Sequence, residues 1–161
     1  MPKKKKKTID ELQRLQYEQT MQRALPKKAG AIAIMVTEDT YDKALTAFNI
    51  GVAAREVGMS VTIFFTARGI NVLTKGFKPR RARWGEAPIG WKENVIKTRG
   101  GPLLGQLMYQ AKDMGIRLCI CYTSMISTGV KPHHLINGID VLRMSEFMEI
   151  CINADIQYVI G

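Results

Sequence analysis

The residues of this sequence with the most chemistry to offer are its three cysteines, two of which lie close together. Cys119 and Cys121 fall in RLCICYTSMISTGV, residues 117–130, where a buried strand is predicted to end in a polar turn. Because side chains alternate along a strand, the two thiols share a face, and Cys121 lies nearer the carboxyl end. A thiol beside backbone N–H groups and cations has a lowered pKa and becomes a thiolate nucleophile. This pattern makes Cys121 the candidate reactive group.

The alternative is that all three cysteines are inert. Free cysteine is among the most buried residue types and packs as a small apolar side chain. Cys151 falls on a predicted helix, where nothing suggests activation. A disulfide between Cys119 and Cys121 is not expected, because alternate residues of a strand have Cα atoms about 6.5–7 Å apart. Position alone leaves both interpretations open.

Polar groups that would support a reactive Cys121 follow the ends of two predicted strands. Tyr122 and Ser124 come just after Cys121, and Thr66 and Arg68 follow the second strand of the chain. The carboxyl ends of parallel strands meet at one edge of a sheet, where ligands bind. We therefore expect these groups near the thiol, with Arg68 as the cation that attracts an anionic substrate.

Metal, dinucleotide and serine-hydrolase sites are not supported. The cysteines lack CxxC spacing and the adjacent His133 and His134 would point in different directions, so no metal site is expected. The first strand is followed by VTEDTYDKAL instead of G-x-G-x-x-G, and we expect no cofactor. The sequence also lacks a G-x-S-x-G elbow.

The elements that must position the candidate residues alternate between strands and helices. Short apolar runs predict strands at residues 29–37, 59–66, 116–122, 138–142 and 156–160. Apolar residues at helical spacing predict helices at 40–57, from 103 to 111 and from 145 to 153, with a short helix before Gly76. Strands that are apolar throughout and alternate with helices indicate a parallel sheet covered on both faces. We predict a single α/β domain with a doubly wound, mostly parallel five-stranded sheet.

The net charge of +10 is concentrated in two segments. Residues 1–28 carry +6 and residues 68–99 carry +7, so the remainder is slightly acidic. We interpret residues 1–28 as a basic N-terminal arm and residues 29–161 as the folded domain. A capping box beginning at Thr8 predicts a helix from about 9 to 24 in the arm, with Ile9, Leu12 and Leu15 on one stripe.

Residues 76–101 form a long basic connection. With five glycines, two prolines and two tryptophans, this stretch shows no period, and we predict a loop. Its arginines at 80, 81 and 83 are candidates to add positive field at the strand ends. Trp84 and Trp91 either anchor the loop or stack on nucleic-acid bases, and the anchoring interpretation is the simpler one.

The chain shows no feature of an exported or membrane protein. No apolar run reaches the roughly 18–20 residues that span a bilayer, and the lysine-rich start lacks the apolar stretch of a secretory signal. An odd number of cysteines fits a reducing compartment. We expect a cytoplasmic protein without membrane contact.

Two stretches resemble the DsrE/DsrF-like family, in its branch of stand-alone DsrE-like sulfurtransferases and sulfur-relay proteins. The first is AIAIMVTEDTYDKALTAFNIGVAAREVGMSVTIFFTARGINVLTKG, residues 31–76, and the second is IRLCICYTSMISTGVKPHHLINGIDVLRMSEFMEICINADIQYVI, residues 116–160. In the second, a strand ends in Cys121, with Ser124 three residues later and Gly129 eight residues after the cysteine. The chain departs from the family where Ala67 and Arg68 replace an aromatic pair and where Thr128 replaces a methionine.

This resemblance implies a flavodoxin-like domain that forms homo-oligomers and carries sulfur on a cysteine. Cys121 matches the sulfur-carrying position, while Cys119 and Cys151 match no family position. The implied partners are anionic sulfur species and a protein that donates or accepts sulfur. Two other functions stay open: an interaction module that binds an acidic protein or nucleic acid, the latter disfavoured by the uneven charge, and a nucleotide-like small-molecule site.

Overall fold

The sheet of this protein is built from five parallel strands. The structure is a computed structural model that describes residues 30–81 and 85–161. The strands are β1 (Ala31–Val36), β2 (Ser60–Phe65), β3 (Arg117–Cys121), β4 (Asp140–Leu142) and β5 (Ile156–Ile160). The helices are α1 (Tyr41–Glu56), α2 (Ile89–Thr98), α3 (Leu104–Asp113), α4 (Tyr122–Thr128) and α5 (Met144–Ile152), with 3₁₀ helices at Ala67–Leu73 and Pro132–His134. The strand order is β4-β3-β2-β1-β5, which confirms the predicted parallel α/β fold.

Apolar side chains on both faces of the sheet explain why the strands read as continuous apolar runs. On one face, α1 and α3 cover a large core in which Phe48 and Phe65 lie with ring centroids 5.9 Å apart. On the other face, Phe147 of α5 stacks on Phe64 of β2 at 4.2 Å. Cys119 and Cys121 belong to this second, smaller cluster. The candidate thiol therefore lies on the face covered by α5.

The connection between β2 and β3 differs from the prediction. Residues 76–101 were expected to form a loop, but α2 occupies Ile89–Thr98 within them. None of the residues of this helix is buried, and Trp91 is 60% exposed. Its contact with the larger core comes from the partly buried Ile89 and Ile96, and so sparse an apolar face gives the sequence no clear helical period.

Several predictions fall outside the described residues: the basic arm 1–28 with its helix, and the roles given to Arg83 and Trp84. Within residues 30–81 and 85–161, no helix is both long enough and apolar enough to cross a bilayer.

Candidate active site at the end of strand β3

Cys121 is the last residue of β3 and the residue that precedes the first turn of α4. It pairs in register with Leu142 of β4, at the carboxyl edge of the sheet. Only 2% of the residue is exposed, because the side chain packs in the cluster that holds Phe64 and Phe147. The thiol thus lies where the sequence predicted it, at the strand end, but beneath the surface.

The Ser124 side chain, just after β3, is hydrogen-bonded to the residues that follow β2. Its hydroxyl accepts a hydrogen bond from the backbone N–H of Ala67 at 2.8 Å and lies 3.0 Å from the Thr66 hydroxyl. Ala67 has a φ of 49°, a conformation that costs a non-glycine residue energy and that clusters at functional sites. The bond to Ser124 holds this strained turn in place. Thr66 and Ser124, both predicted as supporting residues, are therefore in direct contact.

These polar groups also act on the Cys121 sulfur. Burial raises the pKa of the Cys121 thiol, but the amide and hydroxyl of Ser124, the Thr66 hydroxyl and the Thr123 amide outweigh burial, so the pKa lies below its ordinary value. Among the described residues, the Cys121 side chain makes no capping hydrogen bond to α4. These donors therefore favour the thiolate, even though the Cys121 side chain does not cap the helix.

The thiol pKa values of the other two cysteines are shifted in the opposite direction, above the ordinary value. Cys119 is fully buried, and desolvation raises the pKa of its thiol to about 12. Burial also raises the pKa of Cys151, a partly buried residue of α5. Since the thiolate is the nucleophile, Cys121 is the one of the three cysteines whose environment favours the reactive form.

A network of charges lies at the carboxyl end of β1, beside the Thr66 turn. One Nη of Arg68 lies 3.4 Å from each carboxylate oxygen of Glu38. Arg80 reaches the same carboxylate at 3.6 Å, and its Nε donates to Asp39 at 2.7 Å. Arg68 remains largely exposed, so its charge faces solvent while Glu38 partly offsets it.

Asp39 ties the long basic connection to the sheet. Burial raises the pKa of Asp39, but hydrogen bonds from Arg80 and Asn71 and the charge of Arg80 hold it below its ordinary value. The Asp39 side chain is only 6% exposed, and Arg80 is the cation that pairs with it. No local sequence signal marks a partner 41 residues away, so the pairing of Asp39 with Arg80 was not predicted.

The remaining predicted groups are more loosely associated. Tyr122 is the first residue of α4 and 47% exposed, so it borders the site from solvent. Arg81 reaches the backbone of Glu86 and not the strand ends. His133 and His134 lie edge to face in the Pro132–His134 helix. Within the described chain, no group of three or more histidine, cysteine or acidic side chains is placed to hold a metal ion.

Gly69 allows the 3₁₀ helix after Thr66 to press against β1. A Cβ at this position would lie 2.4 Å from the carbonyl oxygen of Val36. The Gly69 amide donates to the carbonyls of Thr37 and Thr66 at 3.1 and 2.9 Å. This close approach fixes Thr66 and Ala67 against the end of the sheet, and through them Ser124.

Comparison with known proteins agrees with this architecture. The model of the DsrE/DsrF/DrsH-like family matches residues 28–89. YrkE of Bacillus subtilis (strain 168) is 29% identical over 139 residues, which cover 71% of this chain and 87% of that protein. The crystal structure of the ychN protein from E. coli has a TM-score of 0.59 and 16% identity, covering 82% of this chain and 99% of that one. The family model matches the first β-α-β unit and the solved structure shares the fold, so this protein is similar to the DsrE/DsrF/DrsH-like family over residues 28–89.

Proposed function

We propose that this protein is a sulfur carrier or sulfurtransferase that holds sulfane sulfur on Cys121 and passes it to a partner thiol. Sulfur relay is the chemistry that the family suggests. The observation that carries the proposal is the environment of Cys121, in which Ser124 and Thr66 lower the pKa of a thiol at a strand end. Cys119 and Cys151 have raised pKa values and serve as packing residues.

The loading step is attack of the Cys121 thiolate on an S–S bond. With thiosulfate, the thiolate takes the outer sulfur atom, the S–S bond breaks with its electron pair on the leaving group, and sulfite departs. With tetrathionate, attack on a central sulfur forms a cysteine thiosulfonate and releases thiosulfate. Transfer follows when a partner thiolate attacks the bound outer sulfur and Cys121 leaves as thiolate, a role that a lowered pKa favours.

The burial of Cys121 defines the substrates that fit. With 2% of the residue exposed, the sulfur meets only a narrow reagent unless α4 moves. Thiosulfate and short polysulfides are small anions, and Arg68 at the rim offers a charge that draws them in. We propose these sulfur anions as the donor class. A protein acceptor, homo-oligomer formation and a cytoplasmic location remain predictions from the sequence.

Removal of the Ser124 hydroxyl is expected to raise the pKa of Cys121. The Ser124→Ala variant loses one donor to the thiolate but keeps the backbone amide, so we expect the midpoint of the pH profile for iodoacetamide alkylation to rise. The thiolate exists above its pKa, so alkylation near pH 7 falls by up to about tenfold. Mass spectrometry of the Cys121 peptide over a pH series measures this shift.

The matched control is Ser127→Ala on the same helix. Ser127 donates to the backbone carbonyl of Ser124 at 3.2 Å and is not among the groups that shift Cys121. We expect its pH midpoint to equal that of the parent protein. Equal midpoints in all three proteins would contradict the assigned role of Ser124.

Neutralising Glu38 is expected to favour anionic reagents at Cys121. The Glu38→Gln variant removes the charge that offsets Arg68. We expect the ratio of the alkylation rates with iodoacetate and iodoacetamide to rise about two- to threefold at low ionic strength, and to fall in Arg68→Gln. The two reagents differ mainly in charge, so the ratio separates electrostatic attraction from access. A Glu56→Gln variant, altered at the far end of α1, should leave the ratio unchanged; an equal rise there would refute the local effect.

A further inference from the structure

The outer edge of β5 is an edge of the sheet with unused backbone hydrogen-bonding groups. β5 ends the strand order β4-β3-β2-β1-β5, and β1 is its neighbour. The Ile160 carbonyl accepts from the Thr37 amide at 2.9 Å, which turns the backbone groups of Ile160 towards β1. Alternate residues of a strand turn the other way, so the amides and carbonyls of Gln157 and Val159 point away from the sheet. Among the described residues, none of these groups has a hydrogen-bond partner.

The two edges of the sheet differ in how they are protected. Natural sheets guard an edge strand by keeping it short or by placing charges or prolines on it. The other edge strand, β4, has three residues and carries Asp140 in an ion pair with Arg117. β5 has five residues, IQYVI, without a charge or a proline, and its Ile156, Tyr158 and Val159 are exposed. The β5 edge therefore has the character of a strand that pairs with another strand.

Hydrogen bonds already made at the ends of β5 restrict where a second strand can pair. At one end, the Asp155 amide donates to the Ala31 carbonyl at 2.9 Å. At the other end, the Gly161 carbonyl accepts from the Lys43 ammonium group. The free amides and carbonyls of the described strand therefore lie between these ends, on either side of Tyr158.

We propose that β5 pairs antiparallel with β5 of a second copy of this chain, around a two-fold axis at Tyr158. In this register Gln157 of each copy faces Val159 of the other, and each such pair exchanges both of its amide–carbonyl hydrogen bonds. The contact is self-complementary, as a two-fold interface must be. The two sheets become one continuous sheet.

The side chains of β5 match in the same register. Ile156, Tyr158 and Ile160 lie on the α1 face of the sheet, because their partners in β1 belong to the larger core. Across the axis, Tyr158 faces Tyr158 of the second copy, and Ile156 faces Ile160. Aromatic and β-branched pairs of this kind stabilise antiparallel strands. Because β5 carries no charge, the paired strands bring no like charges together.

The size of the contact predicts a weak dimer. The five residues of β5 extend about 17 Å, and a sheet with a helix layer on each face is about 30 Å deep. The edge thus offers roughly 500 Å² per copy and roughly 1,000 Å² for the pair, the lower limit for a specific interface. We expect a dissociation constant on the order of 10 μM. The two Cys121 sites lie at opposite ends of the joined sheet, so the dimer does not depend on the proposed sulfur chemistry.

Disulfide formation in the full-length protein tests the register. Tyr158→Cys places two thiols opposite each other in a non-hydrogen-bonded pair, with Cα atoms about 4.5 Å apart, a span that a disulfide bridges. We expect a covalent dimer in glutathione redox buffer, with peptide mapping to locate the bond. In Val159→Cys the two thiols are offset along the strands by more than about 7 Å, so the yield should be about tenfold lower. Equal yields from the two variants, or a bond through a native cysteine, would overturn the register.

A charge on the edge tests whether β5 holds the dimer. Sedimentation velocity of the full-length protein over about 1–100 μM measures the dissociation constant. Val159→Lys should raise it about tenfold or more, because an edge lysine opposes strand pairing. Val141→Lys places the same charge on the exposed β4 edge and should dimerise as the parent protein does. A parent protein that is monomeric at about 100 μM, or equal dissociation constants for the two variants, would overturn the proposal.

Discussion

Replacing Cys121 by serine is expected to abolish sulfur loading. When the parent protein is incubated with polysulfide or thiosulfate, we expect a gain of about 32 Da, and with tetrathionate a gain of about 112 Da, both reversed by dithiothreitol. Serine fills nearly the same volume beside Ser124 but offers no thiolate, so the loading rate should fall by about 100-fold or more. Intact-mass spectrometry followed by peptide mapping locates the added sulfur.

Cys151→Ser is the matched control for this experiment. Burial raises the pKa of Cys151, so it contributes little thiolate at neutral pH, and its loss should leave the mass gain unchanged. Far-UV circular dichroism checks that each variant keeps its fold. If Cys121→Ser gains as much mass as the parent protein, the proposed carrier role of Cys121 is wrong, whichever residue then holds the sulfur.

A methyl group at Gly69 is expected to destabilise the whole domain. In Gly69→Ala the new Cβ would lie 2.4 Å from the Val36 carbonyl oxygen, a backbone atom of a central strand that cannot swing aside. The 3₁₀ helix and β1 must separate, which strains the amide bonds from Gly69 to Thr37 and Thr66. We expect a loss of about 3 kcal/mol in the free energy of unfolding, measured by urea denaturation.

Gly105→Ala is the control, and we expect it to raise the free energy of unfolding instead of lowering it. Gly105 lies in the first turn of α3, and a Cβ there would meet no described atom within 4 Å. Alanine has the higher helix propensity, so this variant should gain about 0.5–1 kcal/mol. The free energies of the two glycine variants should therefore move in opposite directions. A Gly69→Ala protein as stable as Gly105→Ala would show that the strand and the 3₁₀ helix are not in close contact.

The strands could be predicted from the sequence because each one is a local apolar run. The five apolar runs became five strands, and β5 spans Ile156–Ile160 as predicted. The position of Cys121 at a strand end followed from the polar residues after it. The helix α2 was missed because it buries no residue, and Pro88 and Gly90 at its start are typical of turns.

Long-range features of the site were not accessible from the sequence. The positive φ of Ala67 carries no signal, since alanine rarely adopts that conformation. The pairing of Asp39 with Arg80 joins residues 41 positions apart. The burial of Cys121 depends on the stacked Phe64 and Phe147, which come from a strand and a helix on different sides of it in the chain. Each of these depends on tertiary packing.

The position of β5 has a consequence for how the protein folds. Ile32 of β1 pairs with Ile156 of β5, so one side of an interior strand is completed by a segment that lies far along the chain. Until β5 docks, β1 presents an open hydrogen-bonding edge, a state prone to pairing with other chains. Closure of so long a loop is slow, and we expect the docking of β5 on β1 to be a late step of folding.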